Sequence, residues 1–247
     1  MPAQPLSSVR SDAQVFVGAS SGGVFRPALA QLAAQVVATW ADIEYQLGGM
    51  LATMLGANAA PSIAMFYALT SGAAQMAALR AAAASVLDEG SRDHELFEVI
   101  IQQAERAARP RHRFAHWVWG HCNELPDALL LIDPEALVKH DMADNRFHAP
   151  HDGRGLLGPL DRSRVYVYRE QDITEILADL EEASYCASHF RMLLIPKLRG
   201  QMRDRVDDIY ERLLDRPGIA AALTRHRKRQ KAGSARRASR GRRARKN

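Results

Sequence analysis

Cysteine is scarce in this chain. Cys122 and Cys186 are its only two, too few for a disulfide framework and not spaced as a metal-binding pair. Such usage points to a reducing compartment. Long apolar runs are missing too: no stretch approaches the ~20 residues of a membrane span. The start, Met1 to Phe25, has no basic segment followed by an apolar run of signal-peptide length. The expectation is a cytoplasmic protein with no membrane attachment. A phosphate-binding loop is absent, because Ser20-Ser21-Gly22-Gly23 lacks the lysine and the strand–helix setting of one. No internal repeat is visible. Acid is missing from one place, residues 225–247, which hold twelve of the 33 Lys and Arg and none of the 28 Asp and Glu. The other 224 residues therefore carry 21 basic and 28 acidic groups, a balance of −7 against a whole-chain charge of +5. The basic character belongs to the tail, so it does not by itself make the folded part a nucleic-acid binder.

Apolar residues are plentiful, at 47% of 247, enough for one ordinary domain or two small ones. Residues 1–26 are rich in Ser, Gly and Ala without sustained periodicity and read as a poorly ordered leader, with Val15-Phe16-Val17 a weak strand. From Pro27 the pattern is helical: Leu29, Leu32, Val36, Trp40, Ile43, Leu47, Leu51 and Met54 recur at steps of three and four. A second helical region spans about Pro61–Leu87, with a kink expected at Ser71-Gly72. Ser91 opens a third as N-cap. Pro110 suggests a break and a fresh helix from Arg111 to about Glu124. Then Ala128–Ile132 and Val165–Tyr168 read as two strands pairing as a long-looped hairpin. Asp172 or Thr174 begins a last long helix, and residues 203–214 a short charged one. The fold class expected is mainly α: an up-and-down bundle of four to five long helices over residues 27–224, with a hairpin-like insert at about 126–171 and a disordered basic tail at 225–247.

The chemistry concentrates in Arg111-His112-Arg113-Phe114-Ala115-His116. A permanent cation stands five residues before a group that exchanges protons near neutral pH. Those are the requirements for cleaving an RNA phosphodiester without metal: His116 moves the proton and Arg111 holds the charge building on phosphorus. Spacing alone is weak, since Arg146-Phe147-His148-Ala149-Pro150-His151 repeats it in what reads as a loop. On an ideal helix, residues five apart diverge by about 140°. Arg111 and His116 therefore converge only through an irregular first turn, a long reach or a second copy of the chain. The competing structural reading makes Arg111 and His112 helix caps and His116 a core histidine. His112 and His116 also have the i,i+4 spacing of zinc helices, but no acid lies between them, and His121 with Cys122 falls on another face. No metal or cofactor is expected.

A long helix with Trp40-Ala41-Asp42-Ile43-Glu44, two further helices, then Arg-polar-x-x-Ala-His resembles the HEPN superfamily. The resemblance covers about Pro27–Leu125 and the helix around 172–195. It implies an all-α bundle, a homodimer that joins two motifs, and metal-independent endoribonuclease activity leaving a 2′,3′-cyclic phosphate. It also implies a setting in toxin–antitoxin or phage-defence systems, with an antitoxin as partner. By that resemblance Arg111 and His116 are catalytic and His112 is the polar auxiliary, where asparagine is commoner in the family. Glu44 and Arg113 are auxiliary candidates, Glu44 as a carboxylate partner for the cations. The alternative is a catalytically inactive HEPN-like module that binds RNA or a nucleotide or serves as a dimeric scaffold. A third reading makes the bundle a dimerisation platform for the tail alone. In the tail, Arg225, Arg227, Lys228, Arg229, Arg236, Arg237, Arg240, Arg242, Arg243 and Arg245 read as an arm that binds phosphates with little sequence preference.

Overall fold

The computed structural model describes residues 3–18, 21–56, 59–143, 160–195 and 203–228. The fold is mainly α with one small antiparallel sheet. The chain divides into two compact units. One comprises Met1–Ala41 and Ala107–Glu182, the other Asp42–Arg106 and Ala183–Asn247.

The first unit holds the sheet. Its strands are β1 (Gln4–Pro5), β2 (Phe16–Val17), β3 (Val118–His121), β4 (Ala128–Ile132) and β5 (Val165–Arg169), in the order β1-β5-β4-β3-β2. The central pair runs from Ala128 opposite Arg169 to Ile132 opposite Val165. Every residue of β4 is buried, so both of its faces are covered. That is why the sequence there is an unbroken apolar run rather than an alternating one. One face packs Ala128, Leu130 and Ile132 with Val165 and Val167 against Leu6, Ala13 and Val15 from the chain start. On β5, Tyr168 stands edge-on to Phe114 at 4.8 Å between ring centroids. Short helices α1 (Leu6–Val9) and α2 (Ser21–Phe25) belong to this unit, as does α7 (Pro134–Ala143). Asp133 caps α7 through the Glu135 amide at 2.9 Å and is ion-paired with Arg164.

The second unit is helical. Its described elements are α4 (Ala59–Ala68), α5 (Gly72–Val86), α9 (Arg203–Leu214) and helical residues 217–228. Three longer helices contribute residues to both units: α3 (Pro27–Leu55), α6 (Arg92–His116) and α8 (Glu170–Leu194). Ile43, Leu47, Phe66, Leu79, Phe97, Ile100 and Phe190 are fully buried here. Ser71 caps α5 by accepting from the Ala74 amide at 3.1 Å, and Ser91 caps α6 through the His94 amide at 3.2 Å. Each such bond satisfies a first-turn N–H that has no partner within the helix. Arg80 binds both carboxylate oxygens of Glu105, at 2.7 and 3.0 Å, and reaches Glu98 at 3.3 Å. The paired strands 128–132 and 165–168, the stripe on α3 and the Ser91 cap match the sequence reading.

Several boundaries differ from it. The expected leader instead supplies both edge strands and buries Leu6, Ala13 and Val15. Strands two residues long and single apolar anchors leave no periodic trace. The hairpin is thus the centre of a five-stranded sheet. In place of a kink at Ser71-Gly72, residues 69–71 separate two helices, Ser71 capping the second and Gly72 opening it. Pro110 does not restart a helix; it lies inside α6. Pro110 offers no N–H to the carbonyl one turn back, but Arg106 and Arg109 are exposed, so solvent can satisfy that carbonyl. The helix expected to run to Glu124 stops at His116, and β3 follows at once. Finally, Arg225, Arg227 and Lys228 continue the 217–228 helix, and Arg227 pairs with Glu95 at 2.8 Å. The tail therefore begins later than 225. Arg229, Arg236, Arg237, Arg240, Arg242, Arg243 and Arg245, and the decoy spacing at 146–151, lie outside the described residues.

Candidate functional site

Because α6 ends at His116, the motif occupies the last two turns of a 25-residue helix instead of its start. A helix C-terminus carries partial negative charge, which favours Arg113 and His116 in the final turn. Its open carbonyls are tied down locally. The Trp117 amide donates to the Arg113 carbonyl at 2.9 Å, and the Trp119 indole N–H donates to that of Phe114 at 3.1 Å. Phe114, 3% exposed, anchors this turn in the core.

His112 and His116, one turn apart, lie side by side, with ring centroids 4.5 Å apart and planes inclined by 48°. Both are exposed, so His116 is not a core histidine. Two adjacent imidazoles open to solvent can divide proton acceptance and proton donation between them.

The arginines separate by direction. At about 100° per residue, Arg109, His112, Arg113 and His116 fall within an arc of roughly 100°, while Arg111 points to the far side of the helix. There Arg111, half-buried, places its guanidinium 5.3 Å from the ring centre of Trp40, which is 4% exposed. Arg111 and His116 thus occupy different faces of α6, as the helical angle requires. Arg113 turns toward the sheet. Its guanidinium lies 3.8 Å from the Tyr166 ring centre and 5.1 Å from that of Trp117, and it donates to the Tyr168 hydroxyl at 3.2 Å. Tyr168 is 1% exposed, and burial pushes its phenol above the ordinary value although Arg113 pulls it back. Trp117 and Tyr166 meet edge to face at 5.6 Å, both half-exposed. Arg109 is exposed.

Glu44 lies on α3 one turn beyond Trp40, partly buried. His121 is remote from the motif in role: 5% exposed, it stacks on Phe25 at 4.4 Å and on Phe16 at 5.2 Å. Burial first, then the charge of Arg26, hold its imidazole below the usual range. Among the described residues no group of three or more His, Cys, Asp or Glu is placed to hold a metal ion.

The Arg111–His116 spacing singles out this helix end but says nothing of Arg109 or Tyr166, which lie beside it. A helical wheel carried back through Pro110 would have found Arg109, since it sits three residues before His112. Nothing local marks Tyr166, which arrives from β5. Comparison with models of protein families, with curated proteins and with solved structures finds no match.

Proposed function

We propose that this chain is a HEPN-like, metal-independent endoribonuclease, acting as a homodimer and serving as a toxin or phage-defence effector held in check by an antitoxin. The observation that carries the reading is the exposed His112–His116 pair at 4.5 Å on the final turns of α6. His116 accepts the proton of the 2′-hydroxyl, whose oxygen attacks phosphorus. The bond to the 5′ oxygen breaks, and His112 returns a proton to that leaving oxygen. The products are a 2′,3′-cyclic phosphate and a free 5′-hydroxyl. The far-side placement of Arg111 supports a second copy as the source of the transition-state guanidinium. The basic residues after the 217–228 helix serve as a phosphate-binding arm. In a cytoplasmic setting such an enzyme meets its substrate directly.

The half-burial of Arg111 against Trp40 favours a second reading, a non-catalytic RNA-binding module in which Arg111 is structural. One experiment separates the two: wild type, Arg111→Ala, His112→Ala and His116→Ala are incubated with RNA in EDTA, with circular dichroism and sedimentation checking fold and assembly. The ribonuclease reading expects cyclic-phosphate ends from wild type and at least a hundredfold loss in His116→Ala. RNA bound but uncut by wild type selects the second reading. Cleavage surviving His116→Ala discards the mechanism.

A further inference from the structure

The exposed face of α6 continues past the histidines at both ends. Toward the N-terminus it reaches Arg109; toward the C-terminus it meets Trp117, packed on Tyr166. From Arg109 to His116 the helix rises about 10 Å, so cation and imidazoles form one short line on α6, and Arg113 on the same arc lies against the Trp117–Tyr166 pair, all within the first unit. We propose that this line binds an unpaired RNA strand, with a backbone phosphate on Arg109 and a base against the Trp117–Tyr166 pair. The inference rests on the RNA reading above and names its substrate class.

Two observations favour an unpaired strand over a duplex, and a third identifies the cation. Trp117 and Tyr166 are half-exposed aromatic rings braced by the Arg113 guanidinium, 3.8 Å from one and 5.1 Å from the other. Aromatic and guanidinium planes of this kind stack on splayed bases, which a duplex keeps inside its own stack. The face is short, one helix end with Tyr166 of β5 beside it, whereas duplex RNA is recognised by contacts spread over successive grooves. The exposed cation in line with the histidines is Arg109, because Arg111 lies against Trp40 on the other side. Arg109 therefore binds substrate in the ground state, a role distinct from stabilising the transition state.

The test uses the full chain and a 2′-O-methyl oligonucleotide, which cannot be cleaved, as a single strand and as a duplex of the same sequence. Anisotropy is read across a salt series. The single strand should bind at least tenfold more tightly than the duplex. Arg109→Ala should lower the magnitude of the salt slope for the single strand by about 0.7, and Arg109→Lys should restore it. Tyr166→Leu and Trp117→Ala should each weaken single-strand binding by roughly fivefold or more, with thermal melts identifying any variant that fails to fold. Arg109→Ala lies on an exposed helix surface and keeps the test alive if both aromatic variants unfold. Where wild type cleaves RNA, Arg109→Ala should raise KM and leave kcat within about twofold. Equal affinity for duplex and single strand, or an unchanged slope in Arg109→Ala, overturns the proposal. Binding without cleavage by wild type leaves this proposal standing and removes the ribonuclease reading. Cleavage abolished in His116→Ala with Arg109→Ala indistinguishable from wild type does the reverse.

Discussion

Replacing Arg113 by methionine keeps the aliphatic stem and removes the guanidinium. Two losses follow. The Tyr168 hydroxyl, accepting from Arg113 at 3.2 Å inside a residue 1% exposed, loses that donor; leaving such a buried group unsatisfied costs about 1–3 kcal/mol. The guanidinium also leaves the faces of Tyr166 and Trp117, worth about 0.5–2 kcal/mol where partly desolvated. The sum is roughly 1.5–5 kcal/mol, which for a chain of this size lowers Tm by about 3–20 °C. Urea unfolding followed by tryptophan fluorescence measures it directly, since Trp117 adjoins the lost charge. Tyr168→Phe alone should cost about 1 kcal/mol. The double variant should cost less than the two singles together, because the unsatisfied hydroxyl is gone. A loss below 0.5 kcal/mol in Arg113→Met, or strict additivity with Tyr168→Phe, refutes the assignment. So does a fully stable Arg113→Met that no longer cleaves or binds RNA, since Arg113 would then belong to the chemistry rather than to the sheet.

Two further expectations concern the same unit. His121 is held below its ordinary 6.5 by burial and Arg26, so below that pH the unfolded chain takes up a proton that the folded one refuses. Stability should be full above about pH 6.5 and fall as pH drops below it, and His121→Phe should flatten that limb in a pH series of urea midpoints; an identical limb in the variant contradicts the linkage. At Gly120 an added Cβ would lie 2.7 Å from the Phe16 carbonyl oxygen and 2.8 Å from Ile132 Cδ1. Gly120→Ala should cost about 1–3 kcal/mol and speed amide exchange at Phe16 and Val17, whereas unchanged exchange there would show that β2 tolerates the methyl.

Legibility in the sequence followed how each element is stabilised. Long helices on apolar stripes announce themselves, as α3 does from Leu29 to Met54, and so does β4, whose five apolar residues fit a strand covered on both faces. The Ser91 cap was legible because a side chain at a fixed offset makes it. What escaped was set by distant partners. Gln4–Pro5 and Phe16–Val17 are strands only because β5 and β3 offer them free edges. The end of α6 was obscured by Pro110, whose usual role as a helix starter gave way where the missing hydrogen bond could be made to water. At the site, the histidine pair followed from i,i+4 spacing, and the divergence of Arg111 from His116 followed from helical angle. The aromatic partner did not, because Tyr166 comes from a strand fifty residues later in the chain.

The outermost pairing of the sheet, Gln4 opposite Val167, also sets a timetable. About 160 residues must leave the ribosome after β1 before its partner exists, roughly 10–30 s at ordinary synthesis rates. Until β4 emerges Leu6, Ala13 and Val15 have no strand to cover, and the first unit cannot close until β5 follows. Such long-range closure makes for slow folding. A nascent chain with its first apolar anchors waiting in solvent is a natural client for chaperones, and a bulky fusion placed directly before Gln4 would obstruct the last step of assembly rather than the first.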